Sequence, residues 1–213
     1  MKKSQTILMY VGIFCIVFLC VFGCFKTVYE LNHYVDDSQL KEAELKYWHT
    51  KAELANEVDN YITSVAPTSN LSGAILVEKC LEYDVDVKLA LAQGHQESHF
   101  GTQGLATKTN SVWNVGAFDS LTYAQIHKKH ICSNPNESIE KYLKVLTEQY
   151  LTGSKSEKDL LENFVTTTGK RYASSPIYER LLKDKYDKIS NDTKIDSLQK
   201  ELRHWTIQAN RDY

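Results

Sequence analysis

Proline is scarce in this chain, with 3 among 213 residues, and glycine is little commoner at 9. So few turn-formers argue against a sandwich or barrel of many short strands. Long apolar-periodic stretches dominate, and the expected class is mainly α. Charge of one sign is also missing: Lys and Arg number 25 against 27 Asp and Glu, for a net charge of -2. A dedicated nucleic-acid binder needs a basic surface to displace counterions, so no nucleic-acid partner is expected. There is no CxxC, no HExxH and no histidine cluster at ligand spacing, so no metal and no other cofactor is expected. Of five cysteines, Cys15, Cys20 and Cys24 fall in one apolar run. Cys80 and Cys132 remain, and two cysteines make no disulfide framework. They pair in an oxidising compartment or stand as two separately buried thiols.

Charge is absent altogether from Ile7 to Phe25. That run is about long enough to cross a bilayer core as a helix. Lys2 and Lys3 precede it, so residues 1–6 are expected in the cytoplasm and everything after the span outside. The expectation is an uncleaved single-pass anchor over residues 7–25. A cleaved signal peptide is the alternative, but no small-x-small site precedes Lys26. Val21-Phe22-Gly23-Cys24 loosely matches a lipoprotein acylation signal, with Phe22 a poor fit.

Residues 26–65 are polar and charged, with Leu31, Val35, Leu45, Trp48, Ala52, Ala55, Val58 and Ile62 at roughly helical intervals. This reads as a solvated helical stalk, broken near Asp36-Asp37-Ser38. Ala66-Pro67-Thr68-Ser69-Asn70 is a breaker cluster and the expected boundary of a domain over residues 71–189. Helices are expected over Ser72 to Tyr83, over Val87 to Ser98 with Asp86 as cap, over Ile139 to Leu151, over Glu157 to Val165 and over Ile177 to Ile189. Gly101 to Phe118 reads as loop. Ser190-Asn191-Asp192 should break the chain before a C-terminal amphipathic helix within residues 190–213. Its apolar face, Ile195, Leu198, Leu202 and Trp205, is suited to docking on the domain or on a protein partner.

The helix Val87 to Ser98 is apolar on most sides and should be central. Glu97 lies at its end. A carboxyl there meets apolar walls, and desolvation keeps a carboxyl protonated toward neutrality. A protonated carboxyl is what glycoside cleavage requires, since the leaving sugar oxygen must take a proton. The plainer reading is a surface glutamate at a helix end.

Glu97 is not alone, however. Ala90-Leu91-Ala92-Gln93-x-x-x-Glu97-Ser98-x-Phe100-Gly101 is followed by Ala106-x-x-x-Asn110-Ser111-x-Trp113-Asn114-Val115-Gly116. Then come Ser138-Ile139-x-x-Tyr142 and Arg171-Tyr172-Ala173-Ser174-Ser175-Pro176-x-Tyr178. This ordered set resembles the N-acetylglucosaminidase domain of bacterial and phage cell-wall hydrolases, glycoside hydrolase family 73 of the lysozyme-like superfamily.

The resemblance implies a lysozyme-like helical domain that cuts the β-1,4 bonds of the N-acetylglucosamine–N-acetylmuramic acid strands of peptidoglycan. It implies Glu97 as the catalytic acid. Tyr172 matches a cleft-side tyrosine that would orient water or the acetamido group, with a core tyrosine as the alternative. Asn110, Trp113 and Asn114 match the loop after the catalytic helix and are candidates for substrate binding. Trp113 replaces the usual Phe, and a core aromatic is as plausible there as a sugar platform. Gln93, one turn before Glu97, is a candidate to orient its carboxyl or to touch substrate. His95 and His99 are read as bystanders. The chain departs from the family between residues 117 and 136, where relatives carry a hairpin lobe with a second carboxylate. The second lobe is therefore reduced, and Asp119 is the candidate second carboxylate or a turn cap. A lytic transglycosylase on the same fold needs one acid/base alone. A silent wall-binding or virion-scaffold module is the rival from a different class.

Overall fold

A computed structural model of the protein describes residues 38–116 and 131–209. The expected anchor over residues 7–25 and the candidate Asp119 lie outside the described residues. Among the described residues no helix is long and apolar enough to cross a membrane. The chain divides into two compact units, Met1–Lys46 and Tyr47–Tyr213. Residues 38–65 are helical (α1), and the division falls within this run.

The second unit is an assembly of helices: α2 (Gly73–Glu82), α3 (Val87–Ser98), the single turn α4 (Ala106–Thr109), α5 (Glu137–Val145), α6 (Glu157–Glu162), α7 (Tyr178–Asp192) and α8 (Ile195–Gln208). A π-helical turn, Leu146–Tyr150, continues α5. An isolated antiparallel bridge joins Val165 to Arg171. The expected helix through Val165 therefore stops at Glu162, and the chain folds back so that Tyr172 N–H donates to the Phe164 carbonyl.

α3 is the central element. Val87, Leu89, Ala90, Leu91 and Ala92 are completely buried, and the helix packs most extensively against α7. Its first turn is fastened three ways. Asp86 caps it by accepting from Lys88 N–H at 2.8 Å, and the other Asp86 oxygen accepts from the Tyr186 hydroxyl at 2.6 Å. Gln199 of α8 accepts from Val87 N–H at 3.3 Å. The buried Lys88 ammonium pairs with Asp196 of α8 and lies over the Tyr186 ring.

Two expectations about the flanks need correction. Residues 47–65 are not a solvated stalk: Tyr47, Leu54, Val58 and Ile62 form a buried stripe, while Leu45 and Trp48 are 72% and 52% exposed. The face turned inward is thus offset from the one the apolar pattern suggested in the first half of α1. Gly73 makes close packing on this helix feasible, because a Cβ there would stand 2.8 Å from the Ala55 carbonyl oxygen, and its N–H donates to the Asp59 carboxylate at 2.6 Å. The C-terminal helix, in turn, spends its apolar face on the domain: Ile195, Leu198 and Leu202 are buried in the same core, so this face is not open to a protein partner. Cys80 and Cys132 are separate, buried thiols.

Candidate active site

Glu97 stands in the last turn of α3, where the helix leaves the core. The chain then turns sharply. His99 and Phe100 both adopt left-handed backbone (φ 46° and 52°), followed by Gly101 at 88°. Left-handed backbone is costly away from glycine and persists only where its surroundings enforce it. Here Ser98 is the fastener: its hydroxyl accepts from Gly101 N–H at 2.8 Å and donates to the Val112 carbonyl at 2.7 Å. Ser138 completes the clamp by accepting from Val112 N–H at 3.2 Å. The loop 110–116 is thereby pressed against the end of the helix that carries Glu97.

The Glu97 carboxyl is half-buried. Tyr178, in the first turn of α7, donates its hydroxyl to Glu97 Oε1 at 2.6 Å. Burial raises the Glu97 pKa above the ordinary carboxylic value, while the Tyr178 hydroxyl and the Asn114 amide pull it partly back. Asn114 Nδ2 also donates to the Glu97 backbone carbonyl at 3.1 Å, and its buried Oδ1 has no hydrogen-bond partner among the described residues. Such an unpaired buried oxygen is uncommon. Asn114 itself holds a left-handed backbone (φ 49°).

Gln93 reaches Glu97 indirectly. It is completely buried, accepts from the Tyr142 hydroxyl at 2.8 Å and donates to the Tyr178 hydroxyl at 3.0 Å. It is therefore a positioning residue rather than a substrate contact. Trp113 is likewise core: it is 0% exposed, stacks on Tyr142 at 4.7 Å, and donates Nε1–H to the Ala90 carbonyl at 2.9 Å. Gly94 admits it, since a Cβ there would already stand 3.3 Å from the indole. Asn110 ends α4 and donates its amide to the carbonyls of Cys132 and Ser133 at 3.0 and 3.4 Å, tying the two ends of the 110–133 excursion. The Trp113 ring is fully buried, and the Asn110 amide nitrogen is engaged by the backbone of residues 132–133.

Tyr172, expected either beside the cleft or in the core, is half-buried. Its hydroxyl donates to the Trp113 carbonyl at 2.7 Å, and its ring stacks on Tyr178 at 5.9 Å. It buttresses Tyr178, which contacts the Glu97 carboxyl. Tyr178 went unassigned in the sequence reading, although the signal was the second tyrosine of the same Tyr-Ala-x-x-Pro-x-Tyr stretch. Arg171 grips Glu179 through two bonds of 2.7 Å, which fixes this stretch to the start of α7. His95 faces away from Glu97. It bonds the Tyr61 hydroxyl at 3.0 Å and lines a polar cleft with Glu57, Lys188 and Asp192. Burial lowers its pKa to about 4, with Lys185, His99 and Lys188 adding to the effect.

The carboxyl at a helix end, its tyrosine donor and the four convergent motifs agree with a family comparison. A family model described as glucosaminidase, mannosyl-glycoprotein endo-β-N-acetylglucosaminidase, matches residues 73–191, more than half of the chain. The chain belongs to the glucosaminidase family. It is accordingly a glycoside hydrolase of the N-acetylglucosaminidase type. No curated protein matches the chain in sequence. The glucosaminidase match begins at α2 and ends within α7, so it contains Glu97, Asn114, Tyr142, Tyr172 and Tyr178 but neither α1 nor α8.

Proposed function

We propose that the chain cleaves the β-1,4 glycosidic bonds of the N-acetylglucosamine–N-acetylmuramic acid backbone of peptidoglycan, with Glu97 as general acid. The observation that carries this reading is the half-buried Glu97 carboxyl, desolvated at the end of an apolar helix and held on one oxygen by Tyr178. The protonated carboxyl gives its proton to the glycosidic oxygen as the C1–O bond breaks. The leaving sugar departs as a neutral alcohol. Water adds to C1, either directly or after the substrate's own acetamido oxygen has closed on it. Asp119 is the candidate to activate that water.

The wall glycan is favoured over a mannosyl glycoprotein by the uncharged run from Ile7 to Phe25, behind Lys2 and Lys3. That run would anchor the chain in a membrane with the hydrolase outside. Protease added to intact spheroplasts then shaves the domain and leaves a membrane stub. Full protection of the domain sinks this topology.

The decisive test is digestion of purified peptidoglycan by the protein and by Glu97→Gln, with mass analysis of the new chain ends. A glucosaminidase leaves new reducing ends at N-acetylglucosamine. Anhydro ends would identify a lytic transglycosylase instead. General acid catalysis is worth on the order of 10²–10⁴-fold, so Glu97→Gln should lose at least that much. A variant as active as the parent removes Glu97 from the chemistry. Failure of both proteins to cut would favour a wall-binding module.

A further inference from the structure

Glu97 Oε1 is the end of a line of buried polar groups, and the line has a direction. Gln93 offers one acceptor oxygen and one donor nitrogen on opposite sides of its amide. Tyr142 donates to the oxygen at 2.8 Å, and the nitrogen donates to Tyr178 at 3.0 Å. Since Tyr178 already accepts from Gln93, its own hydroxyl proton points along the 2.6 Å contact to Glu97.

Reversing the line requires turning the Gln93 amide over. Tyr142 would then accept from Gln93, and its own proton would need a new acceptor. Tyr142 is 0% exposed and sandwiched by stacking on Trp113 at 4.7 Å. The hydrogen-bond partner the structure gives its hydroxyl is Gln93. A buried hydroxyl proton without an acceptor is strongly disfavoured, so the forward direction holds.

We propose that Tyr142, Gln93 and Tyr178 form a one-way hydrogen-bond relay that keeps Glu97 Oε1 an acceptor, so that the transferable proton is carried on Oε2. This deepens the reading of Glu97 as the acid and rests on it. The relay does two things. It confines the proton to a single carboxyl oxygen, and thereby to one direction of delivery. It also leaves a donor already in place for the carboxylate that forms when the proton departs, so that no group must reorient. Tyr142 and Gln93 act through Tyr178 and are positioning residues. Tyr142 lies two side chains away from the carboxyl it controls.

The test reads Glu97 directly. The full chain is labelled with glutamate carrying carbon-13 at the side-chain carboxyl, the Glu97 signal is assigned by its loss in Glu97→Gln, and its chemical shift is followed with pH. Tyr178→Phe removes the donor, and the titration midpoint should rise by about one pH unit, the equivalent of one charge-assisted hydrogen bond. Tyr142→Phe keeps the ring on Trp113 but frees the Gln93 amide, and the midpoint should rise in the same direction by a smaller amount. Adding Tyr142→Phe to Tyr178→Phe should produce no further rise. A Tyr142→Phe midpoint equal to the parent's, or a rise that adds to that of Tyr178→Phe, overturns the relay. Should Tyr142→Phe fail to fold, Gln93→Met tests the same link and must give the same upward movement. The alkaline limb of the rate profile on peptidoglycan should follow the same midpoints. If the carboxyl titrations behave as described but Glu97→Gln still cuts the wall, the relay stands and the general-acid reading fails. If Glu97→Gln is inactive and the midpoints do not move, the reverse holds.

Discussion

Replacing Trp113 separates a core aromatic from a sugar platform. The indole makes three kinds of contact: the parallel stack on Tyr142 at 4.7 Å, the Nε1–H bond to Ala90 at 2.9 Å and the close approach to Gly94. Trp113→Phe keeps most of the stack. It forfeits the hydrogen bond, worth about 1 kcal/mol, and leaves space where the outer part of the six-membered ring was, worth about 1–2 kcal/mol by the area of roughly two methylenes. The expected cost is therefore about 2–3 kcal/mol. Trp113→Ala removes nearly everything and should cost about 3–5 kcal/mol, a large share of a typical domain's stability. Urea unfolding followed by circular dichroism measures both. In parallel, KM on peptidoglycan should stay near the parent value for Trp113→Phe, because a fully buried ring touches no sugar. A modest fall in kcat is expected, since Asn114 is the next residue and loses its backing. A KM raised tenfold with an unchanged denaturation midpoint would show that the ring meets substrate, and the core assignment would be refuted.

Gly73→Ala should destabilise by about 1–3 kcal/mol, because the new Cβ would stand 2.8 Å from the Ala55 carbonyl and from Asp59 N, backbone atoms that cannot swing aside. An unchanged unfolding midpoint would mean that α1 and α2 can move apart at no cost. Lys88→Ala should cost about 1–3 kcal/mol, because Asp86 and Asp196 lose a buried cation while Asp196 keeps Lys200 at 2.7 Å. A loss under about 1 kcal/mol would place the pair among solvent-screened bridges. Glu97 links stability to pH. Its folded pKa is raised by burial, so its contribution is fully present below the unfolded value of 4.5 and is lost as pH rises through the folded value. Glu97→Gln has no such proton to lose, so its stability relative to the parent should increase across that window. A relative stability that falls with rising pH would mean that the carboxylate is better stabilised folded than unfolded.

Much of this arrangement was legible in the residues. Asp86 as cap, α3 with its apolar body, and Glu97 at its end follow from local signals that tertiary contacts did not override. The ordered motifs carried the glucosaminidase assignment. What escaped was partner choice. An i,i+4 spacing put Gln93 on the same side as Glu97, but spacing cannot reveal that Tyr178 from another helix stands between them. Ser190-Asn191-Asp192 looked like a break, yet α7 runs through it. The Ser190 hydroxyl bonds back to the Tyr186 carbonyl at 3.1 Å, and Ile189 beside it is fully buried. Packing of one residue outweighed the turn preference of its neighbours. In α1, the apolar series included Trp48 and omitted Tyr47 and Leu54, and only contact with the core determines that Tyr47 and Leu54 turn inward while Trp48 does not.

The segment that the glucosaminidase family shares is smaller than the unit that positions Glu97. Residues 73–191 contain Glu97, its tyrosine donor and the loop clamped by Ser98 and Ser138. Yet the first turn of α3 is held from outside that segment, by Gln199 on the Val87 amide and by Asp196 on Lys88. The polypeptide before it adds Tyr47, Leu54, Val58 and Ile62 to the same hydrophobic core. A helix transmits a tilt at its first turn along its whole length. Glu97 lies in the last turn, and its 2.6 Å bond to Tyr178 tolerates little displacement. General acid chemistry depends on placing a proton within hydrogen-bond reach of one oxygen atom. The flanking helices therefore hold the helix that carries Glu97 from its far end. Residues 47–65, read in sequence as part of a spacer, and the C-terminal helix, read there as able to dock on the domain, anchor α3.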